Sequence, residues 1–480
     1  MKAIIPIFET DGKRPIYMQL YDFIKESILS GETAPFEKLP SLRNLSSYLN
    51  ISVTTVSLAY SQLEVEGYIY SRPQSGYYVS DISAFHDEKT DKNISADQQI
   101  PTDSIAFKGL LDAAPISGSR NAPLIYDTKC FDFTSWKKCI NRVLNEYPHL
   151  LLTESEPQGE EALRKQIAGY LYTSRGVKCS ADQIVIAAGT QQITNHLATL
   201  LHLTDISLIS FEEPGYSQVR NIFRDRGFAI TPIPVRSDGI EIDRLPSNVT
   251  SAVYVSPSNQ FPTGAVMPVA NRYRLLEWAA DNGSYIIEDD YNSELRYFGR
   301  PIPSLQGLDQ RGRVIYLGSF SSTLFASIKI SYMVLPEKLA ELYRSIMKGY
   351  SQSCSKTEQL ALAFYMESGK YQTGIKKLRR LYSKKLDIAK TSLQKHSNGR
   401  ISPLGTSSGL SMLVSVETEK LPSALEESSR SAGISAAASH MDAGIGKTSM
   451  IFYYNLIPVE LMDACIEKLC HLWLDTDRPQ

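Results

Sequence analysis

From Leu124 onward, short apolar runs alternate with amphipathic stretches, and each run ends in polar residues. QIVIAAGT leads into QQITNHLATLL; ISLISFEEPGY, AVYVSPSN, YIIEDDYNSE and VIYLGSF follow. Strand-length runs alternating with helical-period segments predict an α/β architecture, a mostly parallel sheet covered by helices on both faces. In open sheets of this kind ligands bind beyond the carboxyl ends of the strands, so the polar endings are where chemistry is expected. At 480 residues the chain also exceeds what one hydrophobic core supports, so a second domain is expected beside this enzyme-sized unit.

Composition narrows the class by exclusion. Hydrophobic residues make up 42% of the chain with charges interspersed, which excludes wholesale disorder, and no apolar run approaches the roughly 18 residues of a membrane helix. The start, MKAIIPIFET, has an apolar stretch too short for a signal peptide and broken by Pro6, so a cytoplasmic location is expected. Cys130, Cys139, Cys179, Cys354, Cys465 and Cys470 contain no CxxC pair and the histidines no HExxH, so neither a disulfide frame nor a metal site is expected. Net charge is −2, and residues 1 to 80 hold seven Lys and Arg against eight Asp and Glu. Any contact with nucleic acid must therefore come from a few placed cations rather than a basic domain.

The first eighty residues read as a small helical module. Leu20, Phe23, Ile24 and Ile28 recur at helical spacing from Ile16 to Leu29, and Gly31 follows where a helix ends. Ser41 can cap a short second helix with Leu42, Leu45 and Leu49 on one face. After a turn at Asn50 and Ile51, Ser52 can cap a third helix carrying Val56, Ala59, Tyr60 and Leu63 and ending at Gly67. The β-prone runs YIYS and GYYVS, joined across Pro73, Gln74 and Ser75, predict a hairpin. From about Asp81 to Asn121 the composition is that of a solvated tether, with Phe107, Leu110 and Leu111 as residues that an apolar groove could order.

The segment from Pro40 to Val79, PSLRNLSSYLNISVTTVSLAYSQLEVEGYIYSRPQSGYYV, resembles the winged helix of the GntR family of bacterial regulators. The resemblance implies double-stranded DNA as partner. Lys38 and Arg43 would hold phosphates, Ser52, Thr54 and Thr55 would face the major groove, and Arg72, Gln74 and Gly76 would serve the wing. Val53 departs from the family, which usually has arginine there to contact a base edge or phosphate; one bidentate arginine is worth roughly 1–3 kcal/mol of base discrimination. On their own the residues also allow a small helical interaction domain with Thr54 and Thr55 merely exposed.

The strand endings, taken in order, are similar to the large domain of fold-type I pyridoxal-phosphate enzymes. A winged helix fused to such a body is the arrangement of the MocR-type regulators, which include a GABA-responsive regulator of bacilli, and the resemblance covers nearly the whole chain. It implies a winged helix-turn-helix over 1–80, a linker over 81–121, and over 122–480 an aminotransferase-like domain for effector binding and dimerisation, with a smaller C-terminal α+β subdomain. Gly189, Thr190 and Gln191 stand where backbone amides at a helix start approach a phosphate. Asp289 matches the carboxylate that keeps a pyridine nitrogen protonated, and Tyr291 the phenol that reaches the ring hydroxyl. Asn259 or Gln260 could touch the ring oxygen, and Tyr216 could flank the ring. Ser319, Ser321 and Lys329 match the phosphate-holding hydroxyls and cation, with Lys329 in place of a forked arginine. Taken singly, AGT is weak, a strand-end aspartate is more often a cap, and Pro214 and Gly215 could simply turn the chain.

Within GSFSSTLFASIKISYMVLP, Gly318 to Pro336, Ser322 occupies the position of the cofactor-binding lysine. A hydroxyl can neither join the cofactor aldehyde nor shuttle a proton between cofactor and substrate carbons, so turnover is expected to be absent. Asn455 stands where the enzymes and most relatives carry an arginine for an amino-acid carboxylate, and Gln218 where the GABA-responsive member has an arginine. The reading is a homodimeric DNA-binding regulator whose body senses a small molecule, with pyridoxal 5′-phosphate held noncovalently at most. The alternatives are an aminotransferase with an accessory DNA-binding domain, which needs another lysine, and a purely structural body.

Overall fold

The computed structural model describes residues 8, 14–73, 75–81, 127, 129–297, 303–404, 409–439 and 446–474. These fall into two compact units, one holding the described residues up to Asp81 and the other those from Asp127. The expected tether therefore lies almost wholly outside the described residues, as do Phe107, Leu110 and Leu111, and so does Gln74 of the wing.

In the first unit α1 (Ile16–Leu29), α2 (Leu42–Leu49) and α3 (Val53–Val65) precede a hairpin of β1 (Ile69–Arg72) and β2 (Gly76–Val79). The two middle helices start as the sequence leads one to expect. Ser41 accepts the Asn44 amide at 3.3 Å and Ser52 the Thr55 amide at 3.0 Å, each satisfying a donor that the first helical turn leaves open. Asn50 between them takes the left-handed conformation, φ 54°, that a tight inter-helix turn requires. Leu20, Ile24 and Ile28 of α1 pack on Val56, Ala59, Tyr60 and Leu63 of α3 and on Ile69 and Val79 of the hairpin. The segment before α2 runs beside β2, with the Leu39 amide donating to Tyr77 and the Val79 amide to Glu37. This fastens the wing to the helical core.

The second unit is built on an eight-stranded sheet. Its strands are β3 (Ile184–Ala187), β4 (Leu208–Glu213), β5 (Ala229–Arg236), β6 (Gly239–Ile240), β7 (Ala252–Val255), β8 (Tyr285–Asp289), β9 (Val314–Ser319) and β10 (Ser331–Val334), in the order β3-β10-β9-β8-β7-β4-β5-β6. From β9 to β5 neighbouring strands are parallel, while β10 runs antiparallel to both its neighbours and β6 to β5. Alternate side chains enter opposite cores, as the period of a strand demands. Ile184 and Ile186 meet α4 (Phe133–Glu146) and α5 (Glu161–Arg175), whereas Val185 and Ala187 meet α6 (Gly189–His202) and α7 (Ser217–Asp225). In β8 Ile286 packs toward Leu275 and Ala279 of α8 (Val269–Asp281) and Ile287 toward the opposite layer. The sheet is thus buried on both faces, which is why its central strands read as nearly continuous apolar runs.

A smaller antiparallel sheet, ordered β11-β12-β14-β13, comprises β11 (Ile401–Leu404), β12 (Met412–Glu417), β13 (Ala436–Ala438) and β14 (Lys447–Phe452). Its core joins Leu386, Ala389 and Leu393 of a long helix, Lys370–Ser397, to Ile466, Leu469 and Trp473 of the last helix, Met462–Leu474. This is the C-terminal α+β subdomain. Among the described residues no helix is long and apolar enough to cross a membrane, and no group of His, Cys, Asp and Glu could hold a metal ion.

Candidate functional site

Beyond the carboxyl ends of the large sheet lies a cavity of about 590 Å³. The turns after β3, β4, β7, β8 and β9 all reach it. The turn after β3 supplies Gly189, Thr190 and Gln191 at the start of α6, where free amides and the helix dipole favour an anion. Gly189 has φ 81°, a conformation that side chains other than glycine rarely adopt, and its open face lies against the Lys329 side chain. After β9, Ser319, Ser321, Ser322 and Lys329 complete this end. Ser331 donates to Ser319 at 3.0 Å, Ser319 bonds Ser321 at 3.3 Å, and Ser321 donates to the Ile328 carbonyl at 3.1 Å, which fixes three hydroxyls beside the helix terminus. Lys329, the sole cation among the described lining residues, donates to the Ala326 carbonyl at 3.1 Å and is exposed.

The other end is acidic and aromatic. Asp289 closes β8 and is held from behind by the hydroxyl of Tyr254 in the neighbouring strand β7. Burial pushes the Asp289 carboxyl up to about 6. Next to it, burial alone would raise Asp290, but the Arg175 guanidinium, with Tyr316 and Ser293, holds it below the usual range. The Arg175 fork meets the two Asp290 oxygens at 2.7 and 2.9 Å, and Ser293 and Tyr316 donate to the same carboxylate at 2.7 and 2.5 Å. Asp290 is thereby spent inside the protein, and Asp289 is the carboxylate left to face the cavity. Tyr216, Tyr291 and Tyr453 form aromatic walls, with Tyr216 donating to Gln218 at 2.7 Å.

Of the cofactor residues picked out in the sequence, all but Asn259 and its alternative Gln260 line this cavity together with Ser322. Asn259 is buried beside Gly409, and Gln260 is consumed by its own loop, donating to the Pro214 and Phe261 carbonyls at 2.8 and 2.6 Å and accepting from Thr263. Asn455 is not a lining residue either; its carbonyl accepts from the buried Lys385 at 2.7 Å. Other contributors went unnoticed, among them Tyr254, Ser331, Asn292 and Tyr453. Tyr254 left a signal, because a tyrosine inside an apolar strand needs a partner for its hydroxyl.

On the first unit, Lys38, Arg43, Ser52, Thr54, Arg72 and the start of α3 are exposed, and Thr55 and Gly76 are half-buried. Arg72 lies over the Tyr78 ring at 4.8 Å and donates to Tyr70 at 3.0 Å, so the wing holds its cation in a fixed place. The hydroxyls of Ser52 and Thr55 bond one another at 2.8 Å, so both serve the cap of α3, while Thr54 is turned to solvent.

Residues 16–79 match the family of bacterial regulatory proteins named gntR, and residues 121–434 match aminotransferase class I and II. The HTH-type transcriptional regulator YdeL of Bacillus subtilis strain 168 is 39% identical over 421 residues, covering 86% of each chain. The probable rhizopine catabolism regulatory protein MocR of Rhizobium meliloti is 32% identical over 81% of this chain and 79% of its own. The chain belongs to the MocR-type subfamily of GntR transcriptional regulators. A third relative, the pyridoxine biosynthesis regulator PdxR of Corynebacterium glutamicum, is 30% identical over 80% of each chain. Among solved structures, the kynurenine aminotransferase of Pyrococcus horikoshii superposes with a TM-score of 0.64 over 77% of this chain and 95% of that one, at 21% identity. That likeness shows a shared fold. This MocR-type chain is thus a helix-turn-helix transcriptional regulator carrying an aminotransferase-like domain, and its relatives favour regulation over metabolism as its work.

Proposed function

We propose that the aminotransferase-like half of this regulator is a sensor that holds pyridoxal 5′-phosphate noncovalently, performs no transamination, and pairs two copies of the chain. The domain limits that go with this reading are 1–80 for DNA binding, 81–121 for the linker and 122–480 for sensing and dimerisation, in a cytoplasmic protein. The observation that carries it is Ser322 in the wall of a cavity that otherwise suits the coenzyme. The anion-favouring helix start, three hydroxyls and Lys329 fit a phosphate at one end, and Asp289 with Tyr254 behind it fits a protonated pyridine nitrogen at the other. When bound, the coenzyme supplies a reactive aldehyde, and a covalent link to it requires an amine. Ser322 offers only a hydroxyl, which neither takes up nor gives up a proton near neutral pH. Lys329 lies at the phosphate end, where its ammonium serves as a counter-charge.

The residues of the wall therefore bind and orient without moving protons to or from carbon. Two such bodies paired would carry two winged helices to repeated half-sites. Calorimetric titration of the full chain with pyridoxal phosphate, paired with gel shifts on the DNA beside its own gene, tests both halves. Saturable, dialysable binding near one equivalent per chain and a salt-sensitive, sequence-preferring complex are expected. Absence of coenzyme binding would leave a regulator with a body of another purpose.

A further inference from the structure

The face that α3 turns to solvent is chemically unusual for a reader of DNA. Opposite its buried stripe of Val56, Ala59, Tyr60 and Leu63, the helix exposes Thr54, Leu58, Ser61 and Val65, which share one side at helical spacing; Val53, exposed at the helix start, stands about 100° round from Thr54. Val53 is 44% and Leu58 51% exposed, large for apolar side chains on a small module. The only charge within the helix is Glu64, and it accepts the Ser71 amide at 3.2 Å; Glu66 at the C-cap is held by Gln62 and Lys25. Among the described residues, Lys38, Arg43 and Arg72 stand off this helix, where they suit backbone phosphates.

We propose that this regulator reads thymine methyl groups: Thr54 and Leu58 present methyls to the floor of the major groove, and Val53 presents its own at the helix start, where the family usually carries an arginine. The inference rests on α3 entering the major groove, as the gntR-family match over 16–79 implies. In that groove each base pair shows a distinct edge, and thymine alone adds an apolar C5 methyl. Helix residues without a formal charge cannot make the forked bond to guanine O6 and N7, nor can a Thr54 hydroxyl replace it. The Thr54 and Ser61 hydroxyls both donate and accept and so discriminate weakly; apolar contact is the sharper discrimination this surface offers, and water released from Val53 and Leu58 favours it. The flanking cations supply affinity that depends on salt but carries no sequence information.

Selection of bound duplexes from a random pool by the full-length protein, followed by replacement of single thymines with deoxyuridine, tests this directly, since the replacement removes only the methyl. Half-sites with thymine at two or more fixed positions are expected, with about fourfold weaker binding for each methyl removed, the effect of withdrawing one buried methyl from contact. Leu58→Ala should abolish the penalty at one of those positions, and Val53→Arg should move a preference toward guanine. Both residues are exposed, so unchanged melting of the variants is expected and confirms that they fold. A guanine-centred consensus indifferent to deoxyuridine would overturn the proposal while leaving DNA binding intact. Unaltered DNA binding by both variants, with loss of dimer on sizing, would also overturn it by making this stripe a protein interface. Failure to enrich any sequence would instead contradict α3 as a reading helix.

Discussion

Replacing Asp289 by asparagine should make the body of the protein more stable and its coenzyme binding worse. In the folded chain burial raises the carboxyl from 3.8 to about 6, so the folded state holds this proton more tightly than the unfolded state does. The sign follows from that difference. The cost is absent below pH 3.8, grows as pH rises to about 6, and is constant above it. At 1.36 kcal/mol per unit it amounts to about 1.6 kcal/mol at pH 5 and about 3 kcal/mol at pH 8. Asp289→Asn keeps the shape and an acceptor for Tyr254 but cannot ionise, so its stability advantage over the native chain should widen by about 1.4 kcal/mol between pH 5 and pH 8. Any pH-independent consequence of the amide cancels from that difference. Trp136, Trp278 and Trp473 are the three tryptophans and all belong to the second unit, so urea unfolding followed by their fluorescence reports the relevant body. The same variant should bind pyridoxal phosphate at least about tenfold more weakly, having lost a charge-assisted bond to the ring nitrogen. A stability difference that stays flat or narrows with rising pH would refute the reasoning.

Ser322→Lys restores an amine to the cavity wall and should give a chain that retains yellow, imine-type absorbance through dialysis; a colourless product would mean that the cavity does not orient the coenzyme. Arg175→Ala strands the buried Asp290 charge and should cost about 3–5 kcal/mol in urea unfolding, part of it recovered by adding Asp290→Asn. Ser52→Ala removes the cap of α3 and should cost about 1 kcal/mol in the winged-helix unit, seen as a lower melting temperature by circular dichroism of the full chain and as weaker DNA binding.

Much of the architecture could be read from the chain because periodicity reports burial directly. The three helices of the first unit begin and end where Ser41, Ser52 and the apolar spacing place them, and β3, β4, β7, β8 and β9 coincide with the apolar runs. Strands β5 and β10 were less visible. AITPIPVR carries two prolines and is only partly buried, near one edge of the sheet, while SYMV is a four-residue run whose antiparallel sense nothing local specifies. The cavity was legible where a residue's chemistry is tied to a strand end, as at Asp289 and Ser319. It was illegible where tertiary neighbours decide. Tyr254 supports Asp289 from an adjacent strand, Arg175 neutralises Asp290 across 115 residues of sequence, and Gln260 is withdrawn from the cavity by its own loop.

That the aminotransferase-like body holds the coenzyme without a bond to it is the consequence of Ser322 on which the proposed function turns. Its most direct test is borohydride reduction of the native chain saturated with pyridoxal phosphate, followed by intact mass and peptide mapping. An unmodified chain is expected after removal of excess coenzyme. A stoichiometric phosphopyridoxyl group on a single lysine, Lys329 included, would contradict it.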